Sequence, residues 1–238
     1  LLQVTKSLDL NLKITSMFKR HRYPKSIILQ AVYFKIRFTL SYRDVEEILR
    51  IRGVIVDHST IYRWVYKFSP MIESNMHRRK KQVCDSWRMD ETYIKVGGKD
   101  RYLYRAVDKY GSTIDFLLTK RRMKGSAQKF LNKAIGNNGK PRIINIDKSG
   151  ANTSGIRTVN KRSLSVNKIK IRRVKYLNNI VEQDHRTIKR RISISTGFKE
   201  FESAQRTLAG IEIINIIRKN QIKDSKSNWF ATFKSLAA

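Results

Sequence analysis

Three β-type segments, a helix and a fourth β-type segment follow one another in the middle of the chain. The segments at 87–96, 102–108 and 113–119 are rich in strand-forming residues, and the gaps between them carry glycine-containing hairpin turns. A helix is predicted at 126–135, and the nearly all-apolar run at 142–147 indicates a strand buried on both faces. This order predicts three antiparallel strands, then a fourth that is reached through a helix.

The same order continues to about residue 191. The run at 169–174 is a candidate fifth strand, and a helix is predicted from 178 to 191. Strand-strand-strand-helix-strand-helix-strand-helix is the order of a ribonuclease H-like fold. We therefore expect an α+β or α/β core with a mixed five-stranded sheet flanked by helices.

Three carboxylates lie inside these segments. Asp90 is in the first strand, Asp147 ends the fourth, and Glu182 is in the last helix. Acids are scarce here, with 19 Asp and Glu against 51 Lys and Arg, and an unpaired carboxylate on an apolar strand face is costly. If the first and fourth strands are neighbours, roughly 5 Å apart, Asp90 and Asp147 can share one metal ion. We hypothesise a divalent-metal site for phosphodiester chemistry at these three acids.

The helix that carries Glu182 has a second set of residues on the same face. Glu182, His185 and Lys189 are spaced at i, i+3 and i+7, so they share one side of the helix. Asp184 is roughly 160° around the helix from Glu182 and is the weaker candidate ligand. Beyond the metal ligand, the helix is expected to hold the DNA backbone through three basic residues: Arg186, Lys189 and Arg190.

Other readings of the acids stay open. Glu91 adjoins Asp90, and Asp108 ends the second strand, where it could instead cap the following turn. Any one of these acids could simply be paired with a Lys or Arg. Of the four histidines, only His185 is a candidate functional residue. The chain has a single cysteine, Cys84, which excludes an intrachain disulfide and a zinc cluster and suits a reducing cytoplasm.

The net charge of +32 implies a polyanionic partner. Nucleic acid is the first interpretation, and an anionic membrane surface is the alternative. No apolar run approaches the roughly 20 residues needed to cross a bilayer. A structural RNA-binding protein fits the charge but not the ordered carboxylates.

The region 18–76 is predicted to be a helix-turn-helix DNA-binding domain. Ser41 suits the cap of a first helix that Gly53 ends, and Ser59 or Thr60 is predicted to cap the second. An ordinary helical hairpin is the alternative. The residues expected to reach base edges and phosphates stand at the start of the second helix: Ser59, Thr60, Tyr62 and Arg63.

The remaining divisions follow from these two regions. We expect residues 1–17 to be a disordered extension and 83–200 to be the catalytic core. Residues 201–238 are predicted to form a helix, at 201–220, and a tail.

Three blocks of the chain resemble the catalytic blocks of short bacterial insertion-sequence transposases of the DDE type. They contain Asp90, Asp147 and Glu182 in turn and read WRMDETYIKVGG with YLYRAVD, then NIDK, then NNIVEQDHRTIKR. The segment DHSTIYRWV at 57–65 is similar to the helix-turn-helix of the same family, and the resemblance spans about 18–220.

The resemblance implies a ribonuclease H-like core in which Asp90, Asp147 and Glu182 are catalytic and hold two Mg2+ ions, for which Mn2+ can substitute. It implies a homo-oligomer that binds short terminal inverted repeats on double-stranded DNA. It also implies strand cleavage and strand transfer into target DNA in the bacterial cytoplasm, at the nucleoid, with no role for a membrane.

One departure bears on activity. The family usually continues after the second block with a proline-containing turn, whereas this chain has Ser149-Gly150-Ala151-Asn152, a predicted loop beside the site. A catalytically inactive relic that only binds DNA is therefore the alternative function.

Overall fold

The computed structural model describes residues 18, 21–38, 40–147, 150–161, 168–194 and 197–237. The extension predicted at 1–17 lies outside these residues. The chain divides into two compact units. The helical unit comprises Leu1–Lys80 and Arg206–Ala238, and the sheet unit comprises Lys81–Gln205.

The helices of the described chain are numbered here in chain order. They are α1 (Lys25–Arg37), α2 (Tyr42–Ile51), α3 (His58–Arg79), α4 (Lys124–Asn138), α5 (Gly150–Lys161), α6 (Asn179–Ile194), α7 (Phe201–Arg218) and α8 (Trp229–Leu236). A short 3-10 helix at Lys175–Asn178 leads directly into α6. None of these helices is both long and apolar enough to cross a membrane.

The sheet unit contains the mixed five-stranded sheet that the sequence predicts. Its strands are β1 (Ser86–Val96), β2 (Lys99–Asp108), β3 (Thr113–Thr119), β4 (Ile143–Asn145) and β5 (Lys170–Arg172). The spatial order is β3-β2-β1-β4-β5, with β1, β2 and β3 antiparallel and β1, β4 and β5 parallel. This confirms the ribonuclease H-like fold.

The parallel strands are shorter than predicted. β4 and β5 keep three residues each, because the parallel ladder between β1 and β4 joins only Ser86–Arg88 to Ile143–Asn145. The helix α4 is longer than predicted, starting two residues earlier and ending at Asn138, where Gly139 takes a positive φ of 79°.

The predicted loop after Asp147 is wrong from Gly150 onward, since α5 begins there; Ser149 lies outside the described residues. The Asn152 side chain is buried, and its Nδ2 donates to Glu91 Oε2 at 2.6 Å. A Cβ added at Gly155 would lie 2.9 Å from Ala127 Cβ, so this glycine lets α5 pack closely on α4. These contacts favour a helix over a loop.

One face of the sheet packs against α4 and α5. The core there joins both layers through buried side chains that include Trp87, Met89, Tyr104, Phe130, Leu131, Ile144 and Ile156. The helix α6 contacts β1 and β2 and brings a second buried row, Val181, Ile188 and Ile192.

In the helical unit, the predicted start of α2 is confirmed. Ser41 Oγ accepts from the Asp44 backbone N–H at 3.0 Å, and the Asp44 carboxylate accepts from the Ser41 N–H at 2.7 Å, a reciprocal capping box. The cap predicted for the next helix is wrong. Asp57 caps α3 by accepting from the Ser59 N–H at 2.8 Å, since a carboxylate two residues upstream reaches that donor directly.

Candidate active site

The three acids line one pocket of about 430 Å³. The sheet register explains why. Arg88 on β1 stands opposite Asn145 on β4, and Asp90 and Asp147 each follow that parallel pair by two residues. Glu182 reaches the same pocket from the first turn of α6. The other lining residues are Ile146, Arg173, Lys175 and Asn178.

The pocket is electrostatically unfavourable for another negative charge. Burial raises the pKa of Asp90 to about 7, together with repulsion from the carboxylates of Glu91, which contributes most, Asp147 and Glu182. The Asp90 side chain is 18% exposed, whereas that of Asp147 is 45% exposed. A cation placed among these acids would relieve the repulsion, and oxygen donors of this type suit Mg2+. The residues therefore fit a divalent metal.

The acids nevertheless form an open arrangement. In the described chain, one ligand atom each from Glu46, Asp57 and His58 lies within 4.8 Å of the other two. The carboxylate oxygens of Asp90, Asp147 and Glu182 are spaced more widely than this. The Glu46 group has a structural explanation, because its carboxylate accepts from the backbone N–H of His58 at 3.1 Å, at the start of α3.

His185 lies against Asp90. It follows Glu182 by one turn of α6, it is buried, and its Nδ1 is 3.5 Å from Asp90 Oδ2. Burial, with a contribution from the Arg105 guanidinium, lowers the pKa of His185 to about 3. The imidazole is thus neutral at physiological pH and adds no charge to the pocket.

The competing acids have partners of their own. Asp108 accepts from the backbone N–H groups of Cys84, Tyr110 and Ser112 at 2.9–3.1 Å, so it caps the β2–β3 turn. Asp184 lies 2.9 Å from the Arg105 guanidinium. These two acids lie outside the pocket lining.

Glu91 is a different case. Its side chain is only 5% exposed and forms an ion pair with Arg122, whose Nη2 is also 4.0 Å from Asp147 Oδ2. Arg122 therefore links the Glu91 carboxylate to the second acid of the pocket. Sequence reasoning missed this link.

Sequence reasoning also missed the cations that line the pocket. Arg173 and Lys175 follow β5 directly, at the same sheet edge as Asp147. Ligands in open α/β sheets bind outside the carboxyl ends of parallel strands, and that rule could have identified both residues. They give the acidic pocket a basic rim.

None of the predicted DNA contacts on α6 lines this pocket. Arg186 and Arg190 are exposed, while Lys189 is half-buried, with its Nζ 4.5 Å from the centre of the Tyr93 ring. Lys189 lines a second pocket with Tyr93 and is absent from the lining of the first.

At the start of α3, the predicted readers differ in exposure. Arg63 is exposed, and Ser59 and Thr60 are partly buried. The Tyr62 ring contacts those of Tyr42 and Tyr66, with centroids 5.6 and 6.0 Å away, so it also packs the helical unit.

Comparisons with known proteins identify the family of this chain. The family model of a DDE domain, of the IS240 transposase type, matches residues 84–221. The transposase for the insertion sequence-like element IS431mec of Staphylococcus aureus (strain Mu50) is 41% identical over 207 residues, covering 85% of this chain and 88% of that protein. The transposase for insertion sequence element IS257 in transposon Tn4003 of Staphylococcus aureus is 41% identical with the same coverage.

Two viral proteins are among the solved structures to which the chain is similar. The HTLV-2 integrase catalytic core domain in complex with magnesium (dimeric form) has a TM-score of 0.38 and 20% identity, over 47% of this chain and 71% of that chain. The simian T-cell lymphotropic virus intasome in complex with PP2A regulatory subunit B56 gamma has a TM-score of 0.43 and 16% identity, over 71% and 64%.

The chain belongs to the DDE transposases of bacterial insertion sequences, on the family match and the 41% identity to transposases over most of its length. It is therefore a member of a class of DNA transposition enzymes, and membership implies the use of a divalent metal.

Proposed function

We propose that this chain binds the terminal inverted repeats of its insertion sequence and catalyses metal-dependent strand cleavage and strand transfer into target DNA. One observation carries the proposal: Asp90, Asp147 and Glu182 line a single pocket whose rim bears Arg173 and Lys175. Carboxylates for metal beside cations for phosphate are the two requirements of phosphodiester chemistry.

The three acids would hold two Mg2+ ions, with Mn2+ as a substitute. Bound there, the ions would activate the attacking oxygen and stabilise the leaving oxygen. Arg173 and Lys175 draw the DNA phosphate toward the acids by charge. His185, neutral and buried, leaves the negative charge of the pocket intact for metal.

Two displacements at phosphorus follow. In cleavage, the oxygen of water bonds to phosphorus and the 3′ oxygen of the transposon end leaves, taking up a proton to become a 3′ hydroxyl. In transfer, that hydroxyl oxygen bonds to a target phosphorus and the target's own 3′ oxygen leaves. Each step breaks one P–O bond and forms one, so no covalent link to the protein is required.

The helix-turn-helix at 18–76 would supply end recognition. Its proposed readers are Ser59, Thr60, Tyr62 and Arg63, and the proposed backbone contacts of the core are Arg186, Lys189 and Arg190. The net charge of +32 supports a long DNA interface. We propose assembly as a homo-oligomer on paired ends, in the bacterial cytoplasm.

The test separates binding from chemistry. We expect the full chain, with Mg2+, to nick a duplex that carries the element's own ends, and Asp90→Asn to reduce product by about 100-fold or more, since even second-shell changes cost metal sites 10–100-fold. End binding of Asp90→Asn should stay close to that of the wild type.

Asp85→Asn is the matched control, because Asp85 is an exposed acid that pairs with Arg142 at 3.2 Å, away from both pockets. Specific end binding without any wild-type product would contradict the proposal and favour the inactive DNA-binding relic.

A further inference from the structure

A second groove lies beside the carboxylate pocket, between β1 and α6. It has a volume of about 380 Å³, and its lining includes Tyr93, Ile94, Lys95, Lys189, Ile192 and Ser193. β4 covers the edge of β1 only along Ser86–Arg88, and the next pairing in the described chain on that side is the bridge from Val96 to Phe198. The groove therefore opens at an uncovered stretch of strand edge.

Both walls of the groove also carry an acid of the carboxylate pocket. Tyr93 follows Asp90 by three residues on β1, about 10 Å along a strand. Lys189 follows Glu182 by seven residues on α6, about 10 Å along a helix. β1 and α6 thus run side by side. The acids lie at one point along them, and the Tyr93–Lys189 contact lies about 10 Å further along both.

That offset matches the geometry of a nucleic acid strand. Stacked base pairs rise by about 3.4 Å each, so about 10 Å corresponds to at most about three nucleotides, and to fewer where the strand is unstacked. A strand whose phosphate lies at the acids can therefore bring a nucleotide within about three positions of it to the groove.

The chemistry of the groove suits a nucleobase. Tyr93 is 58% exposed, and Ile94 and Ile192 contribute apolar lining. Two lysines flank it: Lys95, and Lys189 with its ammonium 4.5 Å from the ring centroid. An aromatic face next to cations is the combination with which proteins hold single-stranded bases and their phosphates.

We infer that this groove binds one unstacked nucleobase of the transposon-end strand, stacked on Tyr93, while the Lys189 ammonium moves from the ring to the adjacent phosphate. The inference rests on the proposed function and deepens it, because it assigns a base-binding subsite next to the scissile phosphate. The base must be unpaired, since a duplex keeps its base faces stacked.

The experiment combines substitutions in the protein with abasic sites in the DNA, in the manner of a double-mutant cycle. The probes are duplexes of the element's terminal repeat and flank, each with one abasic site, moved from one to five nucleotides on either side of the scissile phosphate. Affinity is measured for the full chain without divalent metal, and nicking is then measured with Mg2+.

On intact DNA, Tyr93→Ala is expected to weaken binding by about 5- to 150-fold, the range of one base–aromatic stack. At one abasic position, within about three nucleotides of the scissile phosphate, this loss should disappear. Tyr93→Phe, which keeps the ring, should still bind more weakly when the base at that position is removed.

Tyr110 provides the matched control. It is 75% exposed and also lies beneath a lysine, with Lys109 Nζ 4.7 Å from its ring centroid, but it is in the β2–β3 turn and lines neither pocket. Tyr110→Ala should show no position-dependent coupling to an abasic site.

The outcomes are distinguishable. If Tyr93→Ala weakens every abasic duplex by the same factor as intact DNA, the base subsite is refuted while wild-type nicking still supports the proposed function. If Tyr93→Ala instead alters self-association without DNA, the groove holds a second copy and the inference is wrong. If the wild type neither binds nor nicks its ends, both proposals fail together.

Discussion

The two units of this protein use acidic residues in opposite ways. In the helical unit, the carboxylates of Asp44 and Asp57 accept hydrogen bonds at helix starts, and these bonds lower the pKa of both groups. In the sheet unit, burial and neighbouring carboxylates raise the pKa of Asp90 to about 7. Acids of the first kind favour the folded state at neutral pH, and acids of the second kind oppose it. The acids of the pocket therefore lower the stability of the folded state unless a cation neutralises them.

The largest expected stability effect is a gain from Asp90→Asn. The folded state holds the Asp90 proton more tightly than the unfolded state, so the penalty is absent below about pH 4, grows as the pH rises, and is complete above about pH 7. Each pKa unit corresponds to about 1.4 kcal/mol, so the full penalty is on the order of 4 kcal/mol.

Asp90→Asn should therefore increase the free energy of unfolding by up to about 4 kcal/mol at about pH 8 and change it little at about pH 4. Urea unfolding in EDTA measures both values. An equal change at the two pH values would show that charge repulsion at Asp90 is not the cause.

An intermediate effect is expected from Glu91→Gln. The substitution leaves Arg122 without its nearly buried partner, which should lower the free energy of unfolding by about 1–3 kcal/mol. It also removes the charge that contributes most, after burial, to the raised pKa of Asp90.

The pH dependence of stability separates these two consequences. In Glu91→Gln, the pH range over which Asp90 loses its proton should shift to lower pH, as measured by unfolding between about pH 4 and pH 8. A transition that stays in place would contradict the coupling between the two carboxylates.

The smallest effect belongs to the helical unit. Asp57→Ala removes the cap of α3, so the Ser59 N–H loses its acceptor and the free energy of unfolding should fall slightly. The low pKa of Asp57 means that this contribution is present at neutral pH and is lost as the pH falls below the usual Asp range. A loss of stability that persisted unchanged in acid would rule out the charged cap; Asp57→Asn, which keeps an acceptor, is the control.

Local patterns predicted the antiparallel half of the sheet well. The β3 bounds are the predicted ones, because alternation and turn glycines act within a few residues. The lengths of β4 and β5 could not be read in the same way, since the register that pairs Arg88 with Asn145 depends on packing between distant segments. The helix α8 was not predicted either, because the segment before it is polar, a pattern typical of a tail. Asn228 in that segment caps the helix by accepting from the Ala231 N–H at 2.7 Å.

The candidate site shows the same limit. The three acids were identified by their scarcity and their apolar surroundings, which are visible in the sequence. The Glu91–Arg122 pair and the Tyr93–Lys189 contact were not, because each joins side chains from elements far apart in the chain. Contacts of this kind follow from the folded sheet and leave no local pattern.

The decisive experiment is a cleavage and joining assay on a duplex with the element's own ends and Mg2+, comparing wild type, Glu182→Gln and Asp85→Asn. We expect metal-dependent products for the wild type and for Asp85→Asn, and a loss of about 100-fold or more for Glu182→Gln with end binding retained. Undiminished products from Glu182→Gln would contradict the assignment of the three-carboxylate pocket as the active site.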